Sequence, residues 1–381
     1  MKNTAILLTA MLALFACTPK NPDPETPTTP TTIETPAFAL GADIGWASEM
    51  EAGGRKFKKK DGTQAALTEV LKDCGVNAIR LRVWVDPYKG WSGKADVVAA
   101  AKKAKAAGQA LMIDFHYSDF FADPSRQVVP SAWNADKADA GKLATRVSAH
   151  TKDVLQALKD AGVQVHWVQV GNETRNGMLW PAGRLWDDSG KDIPGGWSNL
   201  VKLSNAGYEA AKAVYPSAIV MPHLNHGYED NSWWFQKFKE NGGKFDAIAL
   251  SHYPQSDNLD EDGKPIITSA QCDSRAIDQI KALASAFHVP VYVAEVGVKQ
   301  KESNASTVLS SFMKEVRKIT SCKGVFYWEP EVDGTWKPEI YGNQSELRKY
   351  SGDATTGAWG PYDMGAFTTD GAPGAVMDAF H

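Results

Sequence analysis

The sequence predicts an α/β fold, a single (β/α)8 (TIM) barrel, on three observations. Eight short runs rich in β-branched and aromatic residues alternate with segments of helical periodicity, the pattern of βα units around a parallel sheet. The residues that close the runs turn polar or aromatic, as they do where a barrel opens at the C-terminal ends of its strands. The 381 residues are enough for one barrel of roughly 250 residues or more, with a leader and loops added.

The eight runs are residues 38–44, 78–84, 110–116, 166–171, 218–222, 247–253, 291–295 and 324–328, the fifth having the weakest β pattern. Helical periodicity marks 94–107, 140–161 and 305–319, and Gly75, Gly108 and Gly162 stand where helices should stop before the next strand. Asp43 ends the first run. Period-2 alternation puts Arg80, Arg82 and Trp84 on one face of the second. Asp114 and His116 end the third, Asn172 and Glu173 the fourth, and Asn225 and His226 follow the fifth. Ser251, His252 and Tyr253 close the sixth, Glu295 the seventh, and Trp328 and Glu329 the eighth. No repeat or second domain follows residue 38. The acidic stretch 257–263 lacks the ligand spacing of a calcium loop and reads as a solvated turn.

Ahead of the barrel, Lys2, the apolar residues 5–15 and small Ala16 read as a secretory signal, too short to span a bilayer as a helix of about 20 residues. Leu14-Phe15-Ala16-Cys17 resembles a bacterial lipobox, which implies cleavage before Cys17 and a lipid on its thiol; an ordinary secretory signal is the alternative. Residues 18–37 are Pro- and Thr-rich and read as an unpacked tether. The expectation is a secreted monomer held to the bacterial cell envelope, at the outer membrane or cell surface, only through that lipid. Cys74, Cys272 and Cys322 show no metal spacing and read as buried thiols or at most one disulfide. A net charge of -4 argues against nucleic acid. Thirteen Trp suit either sugar stacking or core packing.

The chemistry concentrates at two strand ends. Val168 to Glu173 is an apolar strand running into Asn-Glu, and Val291 to Glu295 is another ending in a lone glutamate. Either carboxyl alone fits a structural role. Together they fit an acid/base and a nucleophile about 5 to 5.5 Å apart, the arrangement that cleaves a glycosidic bond with retention.

The motifs Gly41-Ala42-Asp43-Ile44, Asn77 to Val85, and Asp114-Phe115-His116-Tyr117-Ser118-Asp119 resemble glycoside hydrolase family 53, the arabinogalactan endo-β-1,4-galactanases, within the clan of retaining (β/α)8 glycosidases. So do Pro130 to Trp133, Gln169 to Glu173, Gly177 to Pro181, Ser251 to Pro254 and Gly324 to Pro330. The resemblance implies Glu173 as acid/base and Glu295 as nucleophile. It implies Asn172 at the sugar 2-hydroxyl, Tyr253 orienting Glu295, and Arg80 favouring the ionised Glu295. Trp328 would lie under the sugar ring, and Asp43, Trp84 and His252 would add to the substrate site. Asp114, His116 and Asp119 would line the same subsite or form a hydrogen-bonded cluster behind it. Trp46, Trp91, Trp133 and Trp359 are stacking candidates or core residues. No cofactor is expected. Bacterial members of the family often carry calcium ligands after the seventh strand, but residues 296–304 lack them, so no metal is predicted. Gln255-Ser256-Asp257 also replaces the family's Trp-His-Gly after Pro254.

The implied substrate is β-1,4-galactan, such as pectin side chains. A retaining mannanase or glucanase, or a surface lipoprotein that binds glycan without cutting it, are the alternatives. Retention of both carboxyls weighs against the last.

Overall fold

The structure, a computed structural model, describes Met1 and residues 33–255, 259, 264–352 and 363–381. Residues 2–32, with the signal, Cys17 and most of the tether, residues 256–258 and 260–263 in and beside the acidic stretch, and Trp359 lie outside the described residues.

Eight parallel strand positions form the barrel: β1 (Ala39–Asp43), β2 (Ala78–Val83), β3 (Ala110–Phe115), β4 (Trp167–Val170), β5, β6 (Ile248–His252), β7 (Val291–Val296) and β8 (Cys322–Trp328). The fifth is split by Pro222 into Ile219–Met221 and His223–Leu224. Its first half pairs with β4 and its second half with β6, so the ring closes through the two halves of one strand. Proline has no N–H to give a ladder, which is why the pairing breaks there. The run predicted for this strand, 218–222, stopped one residue short of His223 for the same reason.

The helices pack outside. They include α1 (Leu67–Asp73), α2 (Lys94–Ala106), α3 (Ala140–Asp160), α4 (Gly196–Val214), α5 (Ser232–Glu240), α6 (Ser269–Phe287) and α7 (Ala305–Val316). In α3 the buried Leu143, Val147, Val154, Leu155 and Leu158 form one apolar stripe. Asp139 caps its start by accepting from the Gly141 and Lys142 amides, and Thr268 with Gln271 makes a capping box on α6. No helix among the described residues is long and apolar enough to cross a membrane.

The barrel interior has an apolar floor. Trp167 lies 5.9 Å from both Tyr292 and Phe326, ringed by Ala39, Ala78, Ala110, Met112, Met221, Ala247 and Ala249. Alanines on most strands leave the space that the three large rings fill. Ile33 packs against this floor, and its carbonyl oxygen lies 2.8 Å from His166 Nε2. The segment expected to be unpacked through residue 37 is therefore held from Ile33 onward, because an apolar side chain there can cover the floor.

Gly75 stops α1 at φ +91, where a Cβ would sit 2.4 Å from the Phe380 carbonyl oxygen. Gly75→Ala should destabilise the fold by at least about 1 kcal/mol, seen as a lower denaturation midpoint with activity per folded molecule unchanged. An unshifted midpoint would show that the C-terminal turn gives way at no cost.

Candidate active site

Above the floor, successive strands contribute one polar layer: Asp43, Arg80, Asp114, Gln169, His223, Ser251 and Glu295, from β1 to β7 in order. Simple alternation would not deliver the last of these, since Tyr292 and Ala294 already belong to the floor cluster. The β6–β7 register shifts after Leu250 pairs with Val293, so that Ser251 faces Glu295. This bulge turns the glutamate into the mouth, a common use of bulges beside functional sites.

Arg80 is the centre of the layer. Its Nη1 donates to Asp43 Oδ2 at 2.5 Å, and its Nη2 lies 2.8 Å from Asp114 Oδ2 and 2.9 Å from Glu295 Oε1. Gln169 Oε1 and Asn172 Oδ1 are each 3.0 Å from the same Nη2. Burial opposes the guanidinium charge, but Asp114, Glu295 and Asp43 outweigh it and hold its pKa above the ordinary value. Burial also pushes the Asp114 carboxyl up, and there Arg80 and His116 prevail, leaving it below the usual carboxylate range. At Glu295 the balance reverses. Arg80 and the Tyr253 hydroxyl both pull toward the ionised form, as the family resemblance implies for Arg80, yet burial dominates and the carboxyl stays above its ordinary range. One cation shared among three carboxylates cannot satisfy each fully.

Glu173 and Glu295 meet across one hydroxyl. Ser251 Oγ lies 2.7 Å from Glu173 Oε1 and 3.5 Å from Glu295 Oε2. Those two distances laid end to end still fall short of the roughly 6.5 Å at which inverting carboxyl pairs begin. Tyr253 donates to Glu295 Oε2 at 2.7 Å, and its ring meets Trp328 edge-on at 6.0 Å. Glu173 itself has φ +48, a left-handed backbone rare for a non-glycine residue and frequent at functional positions.

The cavity above the pair holds about 420 Å³ and is lined by Asp43, Arg80, His116, Asn172, Glu173, Tyr253, Glu295 and Trp328, among others. Among the described residues, five predicted substrate residues are not in its lining. Asp114 is wholly buried beneath Arg80 and His116. Asp119 is a loop pin, accepting from the Asp86 and Ser131 amides at 2.9 and 2.8 Å. His252 follows Ser251 on the strand and so points outward, bonding Asp273 of α6 at 2.7 Å and lying against Phe312 of α7. Trp133 packs on His150 of α3. Trp84 is 2 % exposed and, with Trp46 and Phe121, surrounds Arg82, whose guanidinium lies 4.3 to 4.8 Å from the three ring centres. Trp46 is likewise buried, and Trp91 is absent from the lining.

Several site residues went unrecognised in the sequence. Gln169 and His223 complete the polar layer, and Phe120, Phe121, Arg126, Tyr341 and Met364 line the cavity. The Gln169 signal was there, a lone amide within an apolar strand. The loop residues have no local pattern to betray them. Residues 296–304 do not fit a calcium ion: side-chain amides brace this loop, with Gln255 accepting from the Lys299 amide at 2.7 Å and Gln300 donating to the Phe367 carbonyl at 3.0 Å. Among the described residues no cluster of His, Cys, Asp or Glu could hold a metal.

Arg82 pairs with Glu329, and Gly45 is needed beside it because a Cβ there would lie 2.2 Å from Arg82 Nη1. Glu331 next to this pair accepts from the Trp46 amide, and burial together with the Glu329 charge drives its pKa well above the ordinary 4.5. A carboxyl protonated in the fold but ionised in the unfolded chain favours folding most below pH 4.5, and that advantage is lost as pH rises. Glu331→Gln should therefore raise the thermal midpoint, with a gain that widens from acid to alkaline pH. Parallel curves for the two proteins would mean that Glu331 is ionised in place.

Comparison with known proteins agrees with this geometry. The chain is 32% identical over 320 residues to a probable arabinogalactan endo-β-1,4-galactanase A of Aspergillus terreus, covering 76% of this chain and 84% of that one. It is 29% identical over 304 residues to an arabinogalactan endo-β-1,4-galactanase of Humicola insolens, covering 75% and 88%. Among solved structures, the Ignisphaera aggregans GH53 catalytic domain superposes with a TM-score of 0.72 at 25% identity, over 93% of this chain and 99% of that one. Residues 39–358 match the profile of Glycosyl hydrolase family 53, and the chain belongs to that family.

Proposed function

We propose that the protein is a retaining endo-β-1,4-galactanase that cuts β-1,4-galactan, the type I arabinogalactan of pectin side chains, by double displacement. The observation that carries this reading is the carboxyl pair of Glu173 and Glu295, joined by one hydroxyl at the mouth of the barrel. The galactanase names of relatives aligned over most of the chain supply the substrate.

In the first step the Glu295 carboxylate attacks the anomeric carbon while protonated Glu173 gives its proton to the departing sugar oxygen. In the second, Glu173 takes a proton from water, whose oxygen attacks the same carbon and releases Glu295. Tyr253 and Arg80 each hold one oxygen of Glu295, fixing the plane from which it attacks. Asn172 is locked by Arg80 on its oxygen and by the Ala122 carbonyl on its nitrogen, whose second hydrogen can meet the sugar 2-hydroxyl. Trp328 offers its face beneath the ring. We assign Cys17 the lipid and residues 18–32 the tether of a secreted, envelope-held monomer, on the composition of that leader.

Glu173→Gln and Glu295→Gln should each lower turnover of galactan by several orders of magnitude with binding nearly kept. Reducing-sugar release on galactan, mannan, xylan and β-glucan should favour galactan, with long oligomers first and the β-anomer leading by NMR. Parent-like turnover by either variant, or an α-anomer leading, would end the proposal. Chelator treatment should leave the melting temperature unchanged, and a drop restored by calcium would contradict the amide-braced loop.

A further inference from the structure

Glu173 is held from both ends by the same two neighbours. Its main-chain N–H lies 3.3 Å from His223 Nδ1, and His223 Nε2 lies 2.9 Å from Ser251 Oγ. Ser251 Oγ in turn donates to Glu173 Oε1 at 2.7 Å. The three contacts make a closed ring that leaves the residue by its amide and returns to it at its carboxylate. His223 and Ser251 are wholly buried, so water does not compete for these bonds.

The direction of the bonds follows from the one donor that cannot rotate. A main-chain N–H faces Nδ1, and Gln169 Nε2 lies 3.0 Å from it as well, so Nδ1 presents its lone pair. Asn172 Oδ1 is also 2.9 Å from Nδ1, but Arg80 and Gln169 already donate to that oxygen. The proton of a neutral ring then sits on Nε2 and points at Ser251, whose own proton is left for Glu173. Burial, and next the Arg80 charge, keep the ring neutral against Asp114, which pulls the other way, while His116 adds to the effect.

We propose that His223 and Ser251 are positioning residues that clamp Glu173, fixing its left-handed backbone and its carboxylate together and committing Oε1 as an acceptor, so that the exchanged proton is carried on Oε2. The proposal rests on Glu173 as the acid/base. In the first step Oε2–H gives its proton to the glycosidic oxygen as that C–O bond breaks. In the second, Oε2 takes a proton from the attacking water. Oε1 keeps the Ser251 bond throughout, so neither His223 nor Ser251 gains or loses a proton over the cycle.

The test compares kcat/KM for Ser251→Ala, Ser251→Thr and Glu173→Gln on galactan and on a dinitrophenyl β-galactobioside, whose leaving group departs without a proton. Ser251→Ala should lose about 10- to 100-fold on galactan, a part of the roughly 10²- to 10⁴-fold that general acid–base help supplies, and change little on the aryl glycoside. The basic limb of its pH profile should move upward, since a bond that favoured the ionised carboxylate is gone. Ser251→Thr, which keeps the hydroxyl, should recover galactan cleavage. Equal losses on both substrates with an unmoved limb overturn the clamp. If Glu173→Gln shows the leaving-group contrast and Ser251→Ala does not, only the clamp falls; if Glu173→Gln lacks it too, the acid/base assignment falls with it. Nitrogen-15 shifts of His223 in the unaltered enzyme read the ring directly: a proton on Nε2 supports the clamp and a proton on Nδ1 refutes it.

Discussion

Taking a guanidinium out of water costs several kcal/mol unless opposite charge surrounds it, and meeting that demand at Arg80 shapes the mouth of this barrel. Its planar fork accepts partners only in fixed directions. Asp43, Asp114 and Glu295 must therefore arrive from three different strands at set angles, with Gln169 and Asn172 filling the remaining positions. The bulge that turns Glu295 inward and the register that sets Asp43 beside Arg80 both serve this geometry. A loose fit at any corner would leave a buried charge exposed to no compensating group.

The same cluster sets the electrical character of the cavity. Three carboxylates around one cation leave an excess of negative charge at a site almost closed to water. In the proposed reaction the sugar develops positive character at its anomeric carbon, and a field of this sign, fixed before substrate arrives, stabilises that state without reorganisation. The elevation of Glu295 comes first from burial, and the Asp114 and Asp43 charges add to it. The floor of tryptophan, tyrosine and phenylalanine beneath keeps water from entering from below.

Much of this was legible because strands have a strict period and helices end at glycine. Arg80 within β2, Glu173 just past β4 and Glu295 near the end of β7 could be singled out with no knowledge of their contacts. Errors arose where a residue type was taken for a direction. His252 sits beside Ser251 at a strand end but faces the helices, and alternation alone would have turned it outward. Asp119 belongs to a conspicuous motif whose job is to hold a loop closed. Trp84, expected in the substrate site, and Trp46, expected to stack on sugar or fill the core, together enclose Arg82. His223 was hidden behind Pro222, which ends the visible pattern one residue before the layer does. Long-range partners such as Arg82 and Glu329, 247 residues apart, carry no local signature at all.

The docking of Ile33 against the floor fixes where the polypeptide enters the barrel. That point lies at the opposite pole from the cavity, beyond the full length of the strands. The floor of alanines and large rings thus lies between Ile33 and the cavity. The spacing between Ile33 and the opening is set by rigid β-structure, so a change of side chain at the entry pole need not disturb the carboxyl pair.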